Sequence, residues 1–222
     1  VTGQAQTFLF DFGGANTVGL GAAPDDPVNY WNNITTTVGG NSSGQQAGLI
    51  TSRNAATSLS LVMLSRFNGA NENGTLAFAG LPTDATRDSL FGNTELFSGL
   101  ANIFPSFKIT GLSPVARYNF TFYASRTGVA DNRETGYTVQ GENSGFAALN
   151  VANNVASSVT GNGIKPTTTG EIAISLAPTA NNNNANHFTY LGMMKMVVVP
   201  AFLPPVSSVG QITLQWIGEG QL

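Results

Sequence analysis

Between Arg126 and Glu134 the chain reads Arg-Thr-Gly-Val-Ala-Asp-Asn-Arg-Glu, and Arg126, Asp131, Arg133 and Glu134 bring four charged side chains into nine residues. The whole chain has only nine basic and twelve acidic side chains, so this concentration needs a physical reason. Guanidinium, carboxylate and planar amide groups can each make paired hydrogen bonds to sugar hydroxyls. The same groups can equally pair with one another and hold a loop rigid. A second stretch, Asn29-Tyr30-Trp31-Asn32-Asn33, sets two adjacent aromatics among amides. Aromatic faces suit the C–H-rich faces of pyranose rings, and amides suit their hydroxyls. The candidate ligand-binding residues are therefore Tyr30, Trp31, Asn32, Asn33, Arg126, Asp131, Asn132 and Arg133. The opposing reading places Trp31 in the core and makes Arg126–Glu134 a buttress.

Catalytic chemistry is poorly provided for. A serine nucleophile needs a base, and His187, the single histidine, opens an apolar strand after a run of asparagines. Glycoside hydrolysis needs two carboxylates across a cleft, whereas Asp131 and Glu134 share one loop with two arginines that can neutralise them. No enzyme is expected. Cysteine is absent, which removes disulfides and thiolate metal sites. Calcium asks only for carboxylates, amides and carbonyls, and Asp11, Asp25 and Asp26 could supply them, with Asp131 as a further carboxylate. Their spacing is not that of an EF-hand.

The elements that must position these groups read as strands. Phe8, Phe10 and Phe12 share one face at a period of two, as do Tyr118, Phe120 and Phe122, and Ile172, Ile174 and Leu176. Further strands are expected over 47–52, 58–67, 147–151 and, as one nearly continuous apolar run, 187–199. A short helical turn over 82–92 is expected, with Thr83 as cap and Gly92 past its end. Asn181–Asn184 must be loop. Leu112-Ser-Pro-Val-Ala-Arg-Tyr118 resembles the corner of sandwich domains, where a tyrosine hydroxyl ties a loop between sheets to its own strand. Strands so spaced, without long amphipathic helices between them, predict an all-β, antiparallel β-sandwich over residues 1–199. Residues 200–210 read as a Pro-rich linker. Residues 211–222 read as an isolated strand that starts a further module or pairs with another subunit.

At 222 residues the chain can bury a sizeable core, yet only 9% of it is charged. A net charge of −3 without any basic cluster excludes an electrostatic footprint for nucleic acid or anionic lipid. No apolar run approaches the length needed for a membrane-spanning helix. Absence of cysteine and a surface solvated by amides and hydroxyls favour a secreted or cell-surface protein, and Val1-Thr-Gly-Gln reads as a mature start.

Phe8–Gly14, Tyr30–Thr35, Arg87–Gly92, His187–Met194 and above all Ser125–Gly141 together resemble a family of exported bacterial β-sandwich domains. In that family a Phe-x-Phe-Ala-Ser-Arg-x-Gly-x-x-Asp-Asn-Arg-Glu segment precedes a Tyr-x-Val strand. Such domains occur beside SGNH-type esterases and other polysaccharide-active enzymes and are similar to carbohydrate-binding modules of jelly-roll, galactose-binding-like fold. The resemblance covers roughly 7–199 and implies a non-catalytic module binding a polysaccharide or oligosaccharide, and, from the fold, a structural calcium. Asp88-Ser89-Leu90 is only superficially similar to the esterase nucleophile block. Arg87 replaces the required glycine and no Asp-x-x-His follows. The alternative is a structural surface protein whose residues 211–222 add to a neighbour's sheet to build fibres or layers.

Overall fold

The computed structural model describes residues 6–14, 18, 29–76, 78 and 80–199, and the backbone of 201–202, 206–208, 211–213 and 216–217. Along the chain run β1 (Thr7–Gly13), β2 (Asn32–Thr35), α1 (Thr36–Gly39), β3 (Gln45–Ala47), β4 (Ser60–Ser65), β5 (Gly69–Asn71), α2 (Thr83–Arg87) and β6 (Ser89–Gly92). There follow β7 (Ser106–Thr110), β8 (Arg117–Tyr123), β9 (Glu134–Gln140), β10 (Ser144–Asn150), β11 (Val159–Ile164), β12 (Ile172–Pro178), β13 (Thr189–Leu191) and β14 (Met193–Val199). One sheet has the order β11-β8-β14-β1-β2 and the other β10-β9-β12-β7-β4-β3. A small third sheet, β13-β6-β5, carries the face of interest below. Each strand pair is antiparallel except β1–β2. The fold is the all-β sandwich that the alternating pattern predicts. Among the described residues no helix is long and apolar enough to cross a membrane.

The inward faces meet as the period of two requires. Phe8, Phe10, Phe12, Phe120, Phe122, Met194 and Met196 line one sheet; Leu61, Met63, Phe107, Ile109, Tyr137, Val139, Ile172, Ile174 and Leu176 line the other, and all are buried in one cluster. Rings bridge the layers: Phe122 stacks on Tyr137 with centroids 4.7 Å apart, and Phe12 lies 5.2 Å from Phe107. Each such side chain contributes roughly 1.5–3 kcal/mol of transfer free energy. The corner motif is present: the Ser113 N–H donates to the Tyr118 hydroxyl at 3.0 Å. Tyr118→Phe keeps the buried ring but removes that acceptor, so a loss of about 1 kcal/mol in denaturant melts is expected.

Four local expectations change. The apolar run 187–199 is two strands, because the chain leaves the small sheet and enters the large one at Gly192, whose backbone bonds to both β8 and β1. The helical turn is capped by Pro82 in extended conformation, not by Thr83, and ends at Asp88, so Ser89–Gly92 is strand. Of the run 47–52 only Ala47 is in a strand, as the last residue of Gln45–Ala47, and an isolated bridge of Ile50 with Ala56 follows. Strand β11 was hidden, because Val-Thr-Gly-Asn-Gly-Ile shows no alternation and its register against β8 shifts between Gly161 and Ile164.

The tail pairs with itself. Strand β15 (Ala201–Phe202) pairs with β18 (Trp216–Ile217), and β16 (Val206–Ser208) with β17 (Gln211–Thr213), both antiparallel. Gln211–Thr213 therefore has its partner inside the stretch read as linker. Ser208 and Gln211 are register partners. Pro200, Pro204 and Pro205, which suggested the linker, lie outside the described residues.

Candidate functional site: an aromatic groove over the small sheet

Strands β5, β6 and β13 are too short to form a covered layer, and one of their faces bears rings instead of a second sheet. Register places Tyr190 opposite Phe91 and Phe91 opposite Gly69. Gly69 has no side chain to cover the Phe91 ring, and a Cβ there would come within 3.2 Å of it. Phe188, two residues before Tyr190, continues the same face, and the loop after β6 brings in Phe97. Phe97 meets Phe188 edge-on at 4.8 Å and Phe91 at 5.8 Å, and Phe188 meets Phe91 at 5.4 Å. Edge-to-face contacts of this kind favour a rigid aromatic floor.

Around that floor lies an open groove of about 630 Å³. Its polar lining comes from Asn68, Asn71, Glu72, Asn73 and Ser98, with Arg126 at one side. Asn71 is buried and fixed by donating to Ser89 Oγ at 3.2 Å, whereas Glu72 and Asn73 are exposed. The Arg126 backbone N–H is anchored on Val151 and its guanidinium donates to the Thr127 carbonyl at 2.5 Å. The Thr127 N–H and hydroxyl both donate to the Asn73 carbonyl, which joins the charged loop to the wall beyond β5. The groove thus combines apolar ring surface with amides, one carboxylate and one guanidinium.

The rest of the charged loop is a buttress behind this floor. Arg133 donates from Nε to Asp131 Oδ1 at 2.9 Å and from a second nitrogen to Oδ2 at 3.2 Å, a two-point pair. It also donates to the Tyr190 hydroxyl at 2.6 Å and lies 5.5 Å from the Phe188 ring centroid. Its side chain is only 12% exposed, that of Asp131 29%. The low-complexity run Asn181–Asn184 supplies the other half of the clamp. Asn184 donates to Asp131, Asn183 accepts from the Asn132 N–H, Asn182 donates to the Glu134 carbonyl and Asn181 to the Glu134 carboxylate. Asp131, Asn132, Arg133 and Glu134 are therefore spent on one another and on the asparagine loop.

Hydrogen bonding from Arg133, with help from Asn184, holds the Asp131 carboxyl below its ordinary pKa. A carboxyl depressed on folding contributes stability above its unfolded value of about 3.9 and loses it as pH falls through the lower folded value. Partial exposure keeps the effect modest. Melting temperatures from about pH 5 down to about pH 2 should therefore fall less steeply for Asp131→Asn than for the wild type.

In the first aromatic stretch Trp31, Asn32 and Asn33 serve the fold. Trp31 is 1% exposed and packs with Leu9, Val18, Ala85, Tyr123 and Met193, so it offers no face to a sugar. Asn32 is spent on backbone: its amide donates to the Leu9 and Ile50 carbonyls and accepts from the Ile50 N–H. Asn33 donates to the Val18 carbonyl at 2.6 Å, and the Tyr30 N–H to Ser52. None of the four lines the groove. Of the sequence candidates only Arg126 does, while Arg133 supports it from behind. Phe91, Phe97, Phe188 and Tyr190 were not singled out, because their convergence depends on which short strands pair. Asp11 is buried, and Asp25 and Asp26 lie outside the described residues. His187 adopts a positive φ of 46° and bonds through Nδ1 to the Thr94 hydroxyl at 3.1 Å, which gives it a turn-forming role. In sequence, the chain matches no family model and no curated protein.

Proposed function

We propose that this chain is a non-catalytic, secreted or cell-surface carbohydrate-binding module, and that a segment of polysaccharide or oligosaccharide lies in the groove over the small sheet. The observation carrying this reading is the accessible Phe97 ring and the half-buried Phe91 ring, backed by the buried Phe188 and Tyr190 and rimmed by Asn68, Asn71, Asn73, Ser98, Glu72 and Arg126. Rings take the C–H faces of a sugar by burying apolar area, and the amides and charged groups take its hydroxyls. An open groove, rather than a closed pocket, suits a chain that continues past both ends. The charge-poor, amide-rich composition fits an extracellular setting, and the resemblance to exported sandwich domains beside polysaccharide-active enzymes agrees with it. Affinity electrophoresis in gels containing xylan, galactomannan, laminarin, pectin or alginate tests this reading. Retardation by at least one of them is expected, and uniform free migration would contradict it. For the alternative, assembly by strand addition through residues 211–222, the pairing within the tail weakens the premise, since 211–213 and 216–217 already have partners.

A further inference from the structure

The outward face of β1 presents a second polar cluster, unrelated to the groove's aromatic floor. Phe8, Phe10 and Phe12 point inward, so Leu9, Asp11 and Gly13 point outward, beneath Val18, Trp31 and α2. Asp11 lies directly opposite Asn33 across the β1–β2 pair. The Asp88 carboxylate sits over Gly13 on the same face, where any Cβ would collide with it. Two carboxylates and one amide are thereby gathered within two residues' length of strand.

Each of these groups has one oxygen or nitrogen in use and one oxygen idle. Asp11 Oδ2 accepts from the Val18 N–H at 3.1 Å, and Asp88 Oδ2 from the Gly14 N–H at 2.7 Å. Asn33 donates its Nδ2 to the Val18 carbonyl. Asp11 Oδ1, Asp88 Oδ1 and Asn33 Oδ1 are buried and find no hydrogen-bond partner. Asp11 is 1% exposed and Asp88 0%. Among the described residues no cationic side chain pairs with either carboxylate; Arg87 lies 3.9 Å from Asp84 instead. Glu72 and Asp84 add further negative charge nearby, which Arg87 offsets in part at Asp88. Burial, together with Asp88, pushes the Asp11 carboxyl well up, and burial pushes Asp88 up to about 7. Two buried carboxylates with idle oxygens and no ion pair among the described residues are costly unless something cationic joins them.

We propose that Asp11, Asp88 and Asn33 hold a calcium ion through these three Oδ1 atoms. Three hard oxygen donors, two of them anionic, balance a divalent charge, and no nitrogen or sulfur ligand competes. Among the described residues no three His, Cys, Asp or Glu side chains gather as a metal site, so water and backbone carbonyls complete the coordination, as calcium allows and magnesium tolerates less well. The ion fastens three separate pieces: the first strand, the chain at Val18 held by Asp11 and Asn33, and the α2–β6 junction at Asp88. It is a structural staple, and it stands or falls independently of the groove's ligand.

The test uses the full chain stripped with EDTA and titrated with calcium chloride alone, by calorimetry and by thermal melts. One ion per chain is expected, with a rise in melting temperature of about 5–10 °C at roughly a hundredfold excess over Kd. Asp11→Asn and Asp88→Asn should each weaken binding more than about tenfold, and in EDTA they should melt at or above the wild type, because like-charge repulsion between the two carboxylates is gone. That reversal of order between EDTA and calcium is the signature of a ligand role. Identical wild-type melts in EDTA and calcium, with no calorimetric binding, would overturn the proposal and leave a shared proton as the partner of the two carboxylates. So would wild-type calcium affinity in Asp88→Asn. Should a variant fail to fold, the wild-type calorimetry and melts decide alone.

Discussion

Arg133→Ala will lower the stability of the domain by about 2 kcal/mol, between what an exposed ion pair contributes and what breaking a fully buried one costs, because Asp131 is part-exposed. The reason lies in what the guanidinium leaves behind. Asp131 would lose both of its Arg133 hydrogen bonds, and the buried Tyr190 hydroxyl would lose the donor at 2.6 Å. The Phe188 ring would lose the cation beside it. An exposed pair would contribute under about 1 kcal/mol, so the size of the loss separates a buttress from a surface decoration. Arg133→Lys should recover little, because an ammonium cannot bridge both Asp131 oxygens and still reach Tyr190. Chemical denaturation with an unchanged m-value measures it, and a loss under about 0.5 kcal/mol would refute the buttress.

Much of the fold is legible in the residues because period-two patterning survives wherever strands are long. The three-phenylalanine face of β1, the Tyr118–Phe122 face of β8 and the isoleucine face of β12 all point where alternation says. The tyrosine corner was legible from one motif, since its chemistry is local: a hydroxyl reaching an N–H five residues away. Non-local features were hidden. Phe91 and Tyr190 are ninety-nine positions apart and become neighbours only because β6 pairs with β13. The asparagine run 181–184 reads only as loop, yet all four residues clamp the charged loop, and nothing in their composition shows their partner. Trp31 illustrates the converse error. An aromatic amid amides reads as a sugar platform, but here the amides satisfy backbone groups while the ring fills the space above the first sheet. The charged loop divided between the two readings it allowed: Arg126 faces the groove, and Asp131, Arg133 and Glu134 hold the loop.

The groove reading is tested most directly by removing ring surface where it is most open. Phe97 is 37% exposed, the most accessible ring of the floor, and its backbone is held independently by mutual hydrogen bonds with Leu100. Truncation to alanine removes apolar area worth about 1.5–3 kcal/mol to a bound sugar, roughly a tenfold to hundredfold loss of affinity. Arg126→Ala should weaken binding as well by deleting a charged donor, and Trp31→Phe should not, because Trp31 lies in the other cluster. The decisive measurement is an affinity-electrophoresis series of wild type, Phe97→Ala and Trp31→Phe in whichever of the five polysaccharides retards the wild type most, with melts run in parallel. The account predicts that Phe97→Ala migrates almost freely while remaining folded, and that Trp31→Phe is retarded like the wild type. Retardation of Phe97→Ala equal to that of the wild type would place the ligand elsewhere and contradict the account.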